Sequence, residues 1–135
     1  MTRARGWRGL AALALLATGL QVYGLYRVTG PESPSWFRQI DKVEHAVGFA
    51  LPVALALLAL GLRSGPRAFR RRPTTAVLVG VFAAHAVVSE LVQHTFYRGR
   101  TGDPYDVLAD WVGVAVGTLA GSALLSRTWV RTAAR

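Results

Sequence analysis

Three carboxylates, Glu90, Asp106 and Asp110, stand within or at the head of long apolar stretches, and His45 follows Asp41 by four residues at the head of another. Carboxylates beside one histidine could serve as general base and proton shuttle, or could bind a divalent cation. Such a set suits Mg2+ or Mn2+ better than a structural zinc. If a metal is held at all, the spacing puts it on Glu90, Asp106 and Asp110; no other cofactor is implied. Alternatively Lys42, His45 and Arg100 meet an anionic head group while Asp41 and the other carboxylates hold those bases in place, with Gln93 as a neutral member of the same polar cluster. The chain has no cysteine, which excludes disulfides, thiolate metal ligands and cysteine nucleophiles.

Helical geometry, at about 100° per residue, gathers these groups into faces. On one predicted helix Asp106 and Asp110 share a stripe with Gly113, Gly117 and Gly121, a small-xxx-small packing pattern that lets backbones approach. On another, Glu90, Gln93 and His94 share a face with Ala83 and Ala86. On a third, Asp41 and His45 lie above Gly48, Phe49, Pro52 and Ala56. Three small-residue faces, each crowned by polar groups at one depth, predict a polar pocket where the helices meet. Plainer readings stand beside it. Asp41 with Glu44, and Asp103 before Pro104, resemble helix N-caps. Asp106 could answer the helix dipole. Glu90 and Asp110 could be polar links paired with Arg100, Gln93 or His45. His85 points elsewhere and reads as a packed histidine.

The elements that must position these residues are membrane helices. Uncharged runs at 9–26, 46–62, 73–89 and 111–126 approach the about 20 residues needed to cross a bilayer. With their polar ends they predict an all-α, four-transmembrane-helix bundle as a single domain, with helices at about 9–28, 42–62, 73–96 and 104–126. Segments 30–39 and 65–73 read as an irregular loop and a short basic loop. The chain carries 16 Lys+Arg against 7 Asp+Glu, a net charge of +9. Eleven of the basic residues fall at the two termini and in the loop between the second and third spans. The positive-inside bias therefore puts both termini in the cytoplasm and the protein in the cell membrane. All seven acids then lie on the outer side. Trp7 and Trp129 mark the inner interface; Tyr23, Tyr26, Trp36, Tyr97, Tyr105 and Trp111 mark the outer one. The first run is too long for a signal-peptide core and no small-residue cleavage site follows it, so it is expected to remain. The basic residues cluster at helix ends, with no basic face over a soluble core, which excludes a nucleic-acid partner.

These pieces resemble the VanZ-like family of small bacterial membrane proteins. The resemblance rests on Asp41-Lys42-Val43-Glu44-His45 opening one span, Glu90-Leu91-Val92-Gln93 near the end of the next, then Gly99-Arg100, and Asp106-Val107-Leu108-Ala109-Asp110-Trp111-Val112-Gly113 leading into the last. Order, spacing and membrane side agree from about Asp41 to Gly117. Asp110 departs from the pattern, standing where the family has Asn. The resemblance implies a cell-envelope role that touches glycopeptide susceptibility, without fixing a reaction.

Three functions follow as expectations. The first is a non-enzymatic envelope protein that binds or shields a lipid-linked precursor or cell-surface ligand. The second is a membrane-embedded, metal-dependent enzyme acting on phosphate- or glycan-linked lipid. The third, a proton-coupled carrier through Glu90, has no visible polar path across the membrane. Membrane lipids are the remaining expected partner. The glycine stripe could pack within one chain or between two, so the oligomeric state is open.

Overall fold

The computed structural model describes residues 3–27, 39–65, 69, 73–97 and 103–133. Arg100, Trp36, Glu32 and most of the two predicted loops lie outside these. Among the described residues four helices follow in chain order: α1 (Arg3–Tyr26), α2 (Ile40–Ser64), α3 (Pro73–Phe96) and α4 (Pro104–Ala133). There is no strand among them. All four helices are long and apolar enough to cross a membrane, the make-up of a multi-pass membrane protein.

Local chemistry sets the ends of the helices. Pro73 and Pro104 open α3 and α4, the position where a missing N–H costs no helical bond. Asp103 caps α4: its Oδ1 accepts the Tyr105 N–H at 2.9 Å, and its carbonyl accepts the Asp106 N–H. Asp41, expected as a cap, instead sits in the first turn of α2, where the cap residue is Gln39 and makes no side-chain capping bond. There Asp41 complements the helix dipole. Gly65 ends α2 with φ of 76°, a left-handed conformation, and donates its N–H to the Gly61 carbonyl.

α2 is the central helix, packed against both α4 and α1, while α3 rests mainly on α4. The α2–α4 approach is the closest. A Cβ added at Gly113 or Gly117 would collide with the carbonyl of Ala46 or Ala50, and one at Gly121 would lie 3.1 Å from the Ala54 oxygen. The glycine stripe on α4 thus fits an Ala46-xxx-Ala50-xxx-Ala54 stripe on α2, within one chain. This is the contact a bilayer favours, because lipid tails give apolar helices no hydrophobic reason to associate and tight dispersion packing must do it.

Below the polar groups, Phe49, Val53 and Leu57 of α2 are fully buried and pack with Leu25, Ala86 and Val114. Phe49 meets Phe82 edge-on, with ring centroids 6.4 Å apart. Large apolar side chains such as Leu15, Leu20, Val77 and Leu119 face outward. In water so much exposed apolar surface would drive association; against acyl chains it is the expected exterior.

Candidate functional site

The bundle alternates in direction, so the C-termini of α1 and α3 and the N-termini of α2 and α4 lie at one end, and the polar residues gather there. Lys42, in the first turn of α2, reaches across to α4. Its ammonium donates to Asp103 Oδ2 at 2.7 Å, to Asp41 Oδ2 at 3.1 Å and, closely, to Asp106 Oδ1. An ammonium has three N–H groups, and each has found a carboxylate. Lys42 therefore ties the start of α2 to the start of α4. The Lys42 ammonium and the Tyr105 N–H hold the Asp103 carboxyl below the usual carboxylate range.

One turn deeper, His45 Nδ1 lies 2.9 Å from Asp110 Oδ1, and its Nε2 is 4.0 Å from Asp106 Oδ2. Asp110 is wholly buried at 0% exposure. Glu90 comes in from α3 at 6% exposure, and its Oε2 accepts the backbone N–H of Asp103 at 3.0 Å. Each of these two acids has only one oxygen engaged. Asp110 Oδ2 and Glu90 Oε1 are buried without a hydrogen-bond partner among the described residues. One ligand atom from each of His45, Glu90 and Asp110 lies within 4.8 Å of the others.

Of the sequence-predicted residues, Asp41, Lys42, His45, Glu90, Asp106 and Asp110 come together at this end, and Arg100 lies outside the described residues. Gln93 does not join them. It is buried one turn beyond Glu90, and its Nε2 donates to the Leu25 carbonyl of α1 at 2.9 Å. Tyr97 likewise donates its hydroxyl to the Tyr26 carbonyl. The end of α3 thereby satisfies carbonyls that the last turn of α1 leaves without helical partners. His94 is exposed. His85 packs between Tyr26 and Phe49, with ring centroids 5.9 and 5.8 Å away, and its Nε2 lies 3.3 Å from the Tyr26 hydroxyl oxygen.

The metal-capable group also differs in composition from the predicted one. Glu90 and Asp110 are in it, but His45 takes the place expected for Asp106, whose Oδ1 is committed to Lys42. Asp103, read from sequence as a cap alone, is a cap and a Lys42 partner at once. Its placement about one helical turn before Asp106 is the available signal for that second role.

Five carboxylates (Asp41, Glu90, Asp103, Asp106 and Asp110) thus surround one ammonium and one imidazole. Chemically this is an acidic cluster at the mouth of a three-helix junction, with free acceptors on Asp110 and Glu90 at the deepest point and on Asp41 nearer the rim. Together the fold and this cluster define an all-α, four-helix protein of membrane type with a buried acidic site at one end. Comparison with protein-family models, with curated proteins and with solved structures finds no match.

Proposed function

We propose that this chain is an integral membrane protein of the bacterial cell envelope that binds or shields a lipid-linked or cell-surface ligand at its outward-facing acidic cluster. The observation that carries the reading is the pair of unpartnered oxygens, Asp110 Oδ2 and Glu90 Oε1. A purely structural network closes its own hydrogen bonds, because each buried acceptor left open costs about 1–3 kcal/mol. Here the deepest two acceptors stay open, as does Asp41 Oδ1 nearer the rim, while all three N–H groups of the one ammonium are taken. The excess of carboxylates means that the ligand engages through a positive group, or through a cation held between them.

The orientation draws on the uneven distribution of arginine, which favours both termini and the α2–α3 connection in the cytoplasm. Trp7, with the Arg63 and Arg8 guanidinium carbons 5.2 and 5.6 Å from its ring centroid, suits an anchor at the inner interface. The VanZ-like motifs support the envelope role and the link to glycopeptide susceptibility.

The test is binding of a lipid-linked peptidoglycan precursor and of a glycopeptide to the full chain in nanodiscs. Wild type should bind one of the two, and Glu90→Gln and Asp110→Asn should weaken that binding by roughly tenfold or more. A wild type that binds neither, or variants that bind as wild type does, overturns the reading; turnover of the lipid would make the protein an enzyme instead. Because the chain has no cysteine, Gly102→Cys gives a single label site. Its failure to react with an impermeant thiol reagent on intact cells would reverse the orientation.

A further inference from the structure

We propose that His45, Glu90 and Asp110 form a binding site for one divalent transition-metal ion of the Mn2+ or Zn2+ class. The three residues come from α2, α3 and α4, are distant in sequence, and each place one ligand atom within 4.8 Å of the other two. Around an ion with bonds of roughly 2.1 Å, ligand atoms stand about 3–4 Å apart, so side-chain rotations of about an ångström complete the set.

An independent observation points to the same ion. Asp110 is 0% exposed and Glu90 6%, and each holds one oxygen with no hydrogen-bond donor among the described residues. Two desolvated carboxylates with open lone pairs need a cation, and the nearest ammonium cannot provide it. All three Lys42 N–H groups are taken by Asp41, Asp103 and Asp106.

The imidazole selects among metals. His45 Nδ1 and Asp110 Oδ1, 2.9 Å apart, stand at the separation of two ligand atoms on one small ion. In a loaded site the neutral imidazole therefore gives its Nδ1 lone pair to the metal in place of a proton to Asp110. One nitrogen beside carboxylate oxygens favours Zn2+ and Mn2+ over Mg2+ or Ca2+, and the usual affinity order places Zn2+ ahead of Mn2+. Asp106 Oδ2 lies 4.0 Å from His45 Nε2, on the other side of the ring, the side from which a carboxylate orients a metal-binding histidine.

The metal site rests on these residues alone. Its use rests on the ligand-binding reading above: three protein ligands leave coordination positions open, and a bound ion would let an acidic cluster take an anionic oxygen of a head group.

The purified full chain is titrated with Mn2+, followed by electron paramagnetic resonance, and then with Zn2+ in competition. Wild type should bind a single Mn2+ that Zn2+ displaces, with nitrogen modulation from one imidazole in the spin echo. His45→Gln should lose the nitrogen signal, and Glu90→Gln and Asp110→Asn should each weaken binding by at least roughly tenfold. Glu44→Gln, exposed on the same helix, should bind as wild type does. Should Asp110→Asn fail to fold, His45→Gln and Glu90→Gln carry the comparison. No saturable binding by wild type at millimolar metal, or a nitrogen signal that survives in His45→Gln, overturns the site. Mn2+ binding without any lipid-linked or glycopeptide ligand keeps the site and removes the ligand reading. Undiminished ligand binding after chelation removes the metal from that role.

Discussion

The two ends of the bundle are built on opposite plans. At the end where α2 and α4 begin, charges are drawn inward: Asp110 and Glu90 are buried, His45 is largely covered, and Lys42 bridges α2 to α4. At the other end charges spread outward. Arg8 and Arg63 lie over the face of Trp7, and Phe69 meets Trp129 edge-on at 5.7 Å, with no buried acid among the described residues. The basic end has the features of an interface anchor, where aromatic rings and guanidinium groups sit between acyl chains and head groups. Its contacts can be lost singly at small cost. The acidic end joins three helices through groups that depend on one another, so its losses are shared.

Backbone spacing follows the same gradient. The α2–α4 separation is tightest at Gly113, just inside Asp110, and relaxes by Gly121, nearer the basic end. The largest expected effect comes from breaking the tight end. Gly113→Ala should destabilise the fold by about 3 kcal/mol, since its Cβ meets a backbone carbonyl that cannot rotate away. Gly121→Ala, whose Cβ would find Ala54 and Leu57 at 3.1–3.3 Å, should cost about 1 kcal/mol or less. Unfolding in mild detergent measures both. Equal losses at the two positions would show that the stripe is uniform and that the acidic end has no special closeness.

The next effect is electrostatic. Lys42→Met leaves Asp41, Asp103 and Asp106 facing one another without a cation. Full burial would make that worth several kcal/mol. Lys42 is 28% exposed and its partners 15–43%, so screening reduces the expected loss to about 1–2 kcal/mol. Adding Asp106→Asn to Lys42→Met should restore part of it, a recovery that repulsion predicts and lost packing does not. Double-variant unfolding checks it.

The contrast between the ends also marks what can be read from sequence. The four helices are legible because a bilayer demands uncharged runs of a given length. Their true ends are less so. α1 starts at Arg3 and α4 continues to Ala133, since a helix can run past its apolar stretch into water. Asp41, Lys42, His45, Glu90, Asp106 and Asp110 are legible as a group because they all fall at one end of their helices, at one depth. Their pairing is not, because periodicity on one helix says nothing about the vertical offset between two. That offset gives Asp106 to Lys42 and Asp110 to His45. It also sends Gln93, on the same face as Glu90 but a turn further out, to the end of α1. The Ala46, Ala50 and Ala54 stripe gives no signal, since alanine is common in every membrane helix; only its glycine partner is conspicuous.

The smallest expected effect is a pH dependence at the rim of the acidic end. Asp103 has its pKa held down by the Lys42 ammonium and the Tyr105 N–H, so the folded chain binds this proton less readily than the unfolded chain does. The sign follows from linkage: the group stabilises the fold above its unfolded pKa, near about 4, and that contribution disappears as pH falls through the lower folded value. The Asp103 side chain is 37% exposed, and solvent screening keeps the effect modest. Unfolding of wild type and Asp103→Asn should therefore differ at neutral pH and converge as the solution is acidified below about pH 4. Asn keeps an oxygen that can cap α4, so the variant removes the charge that faces both Lys42 and the Tyr105 N–H, and Lys42→Met separates the two. If the bond to Lys42 is the larger cause, the pH-dependent gap opened by Asp103→Asn should shrink in the Lys42→Met background. A gap of unchanged size would assign the depression to the N-cap, making this rim residue an ordinary helix start and confining the special character of the acidic end to the buried triad beneath it.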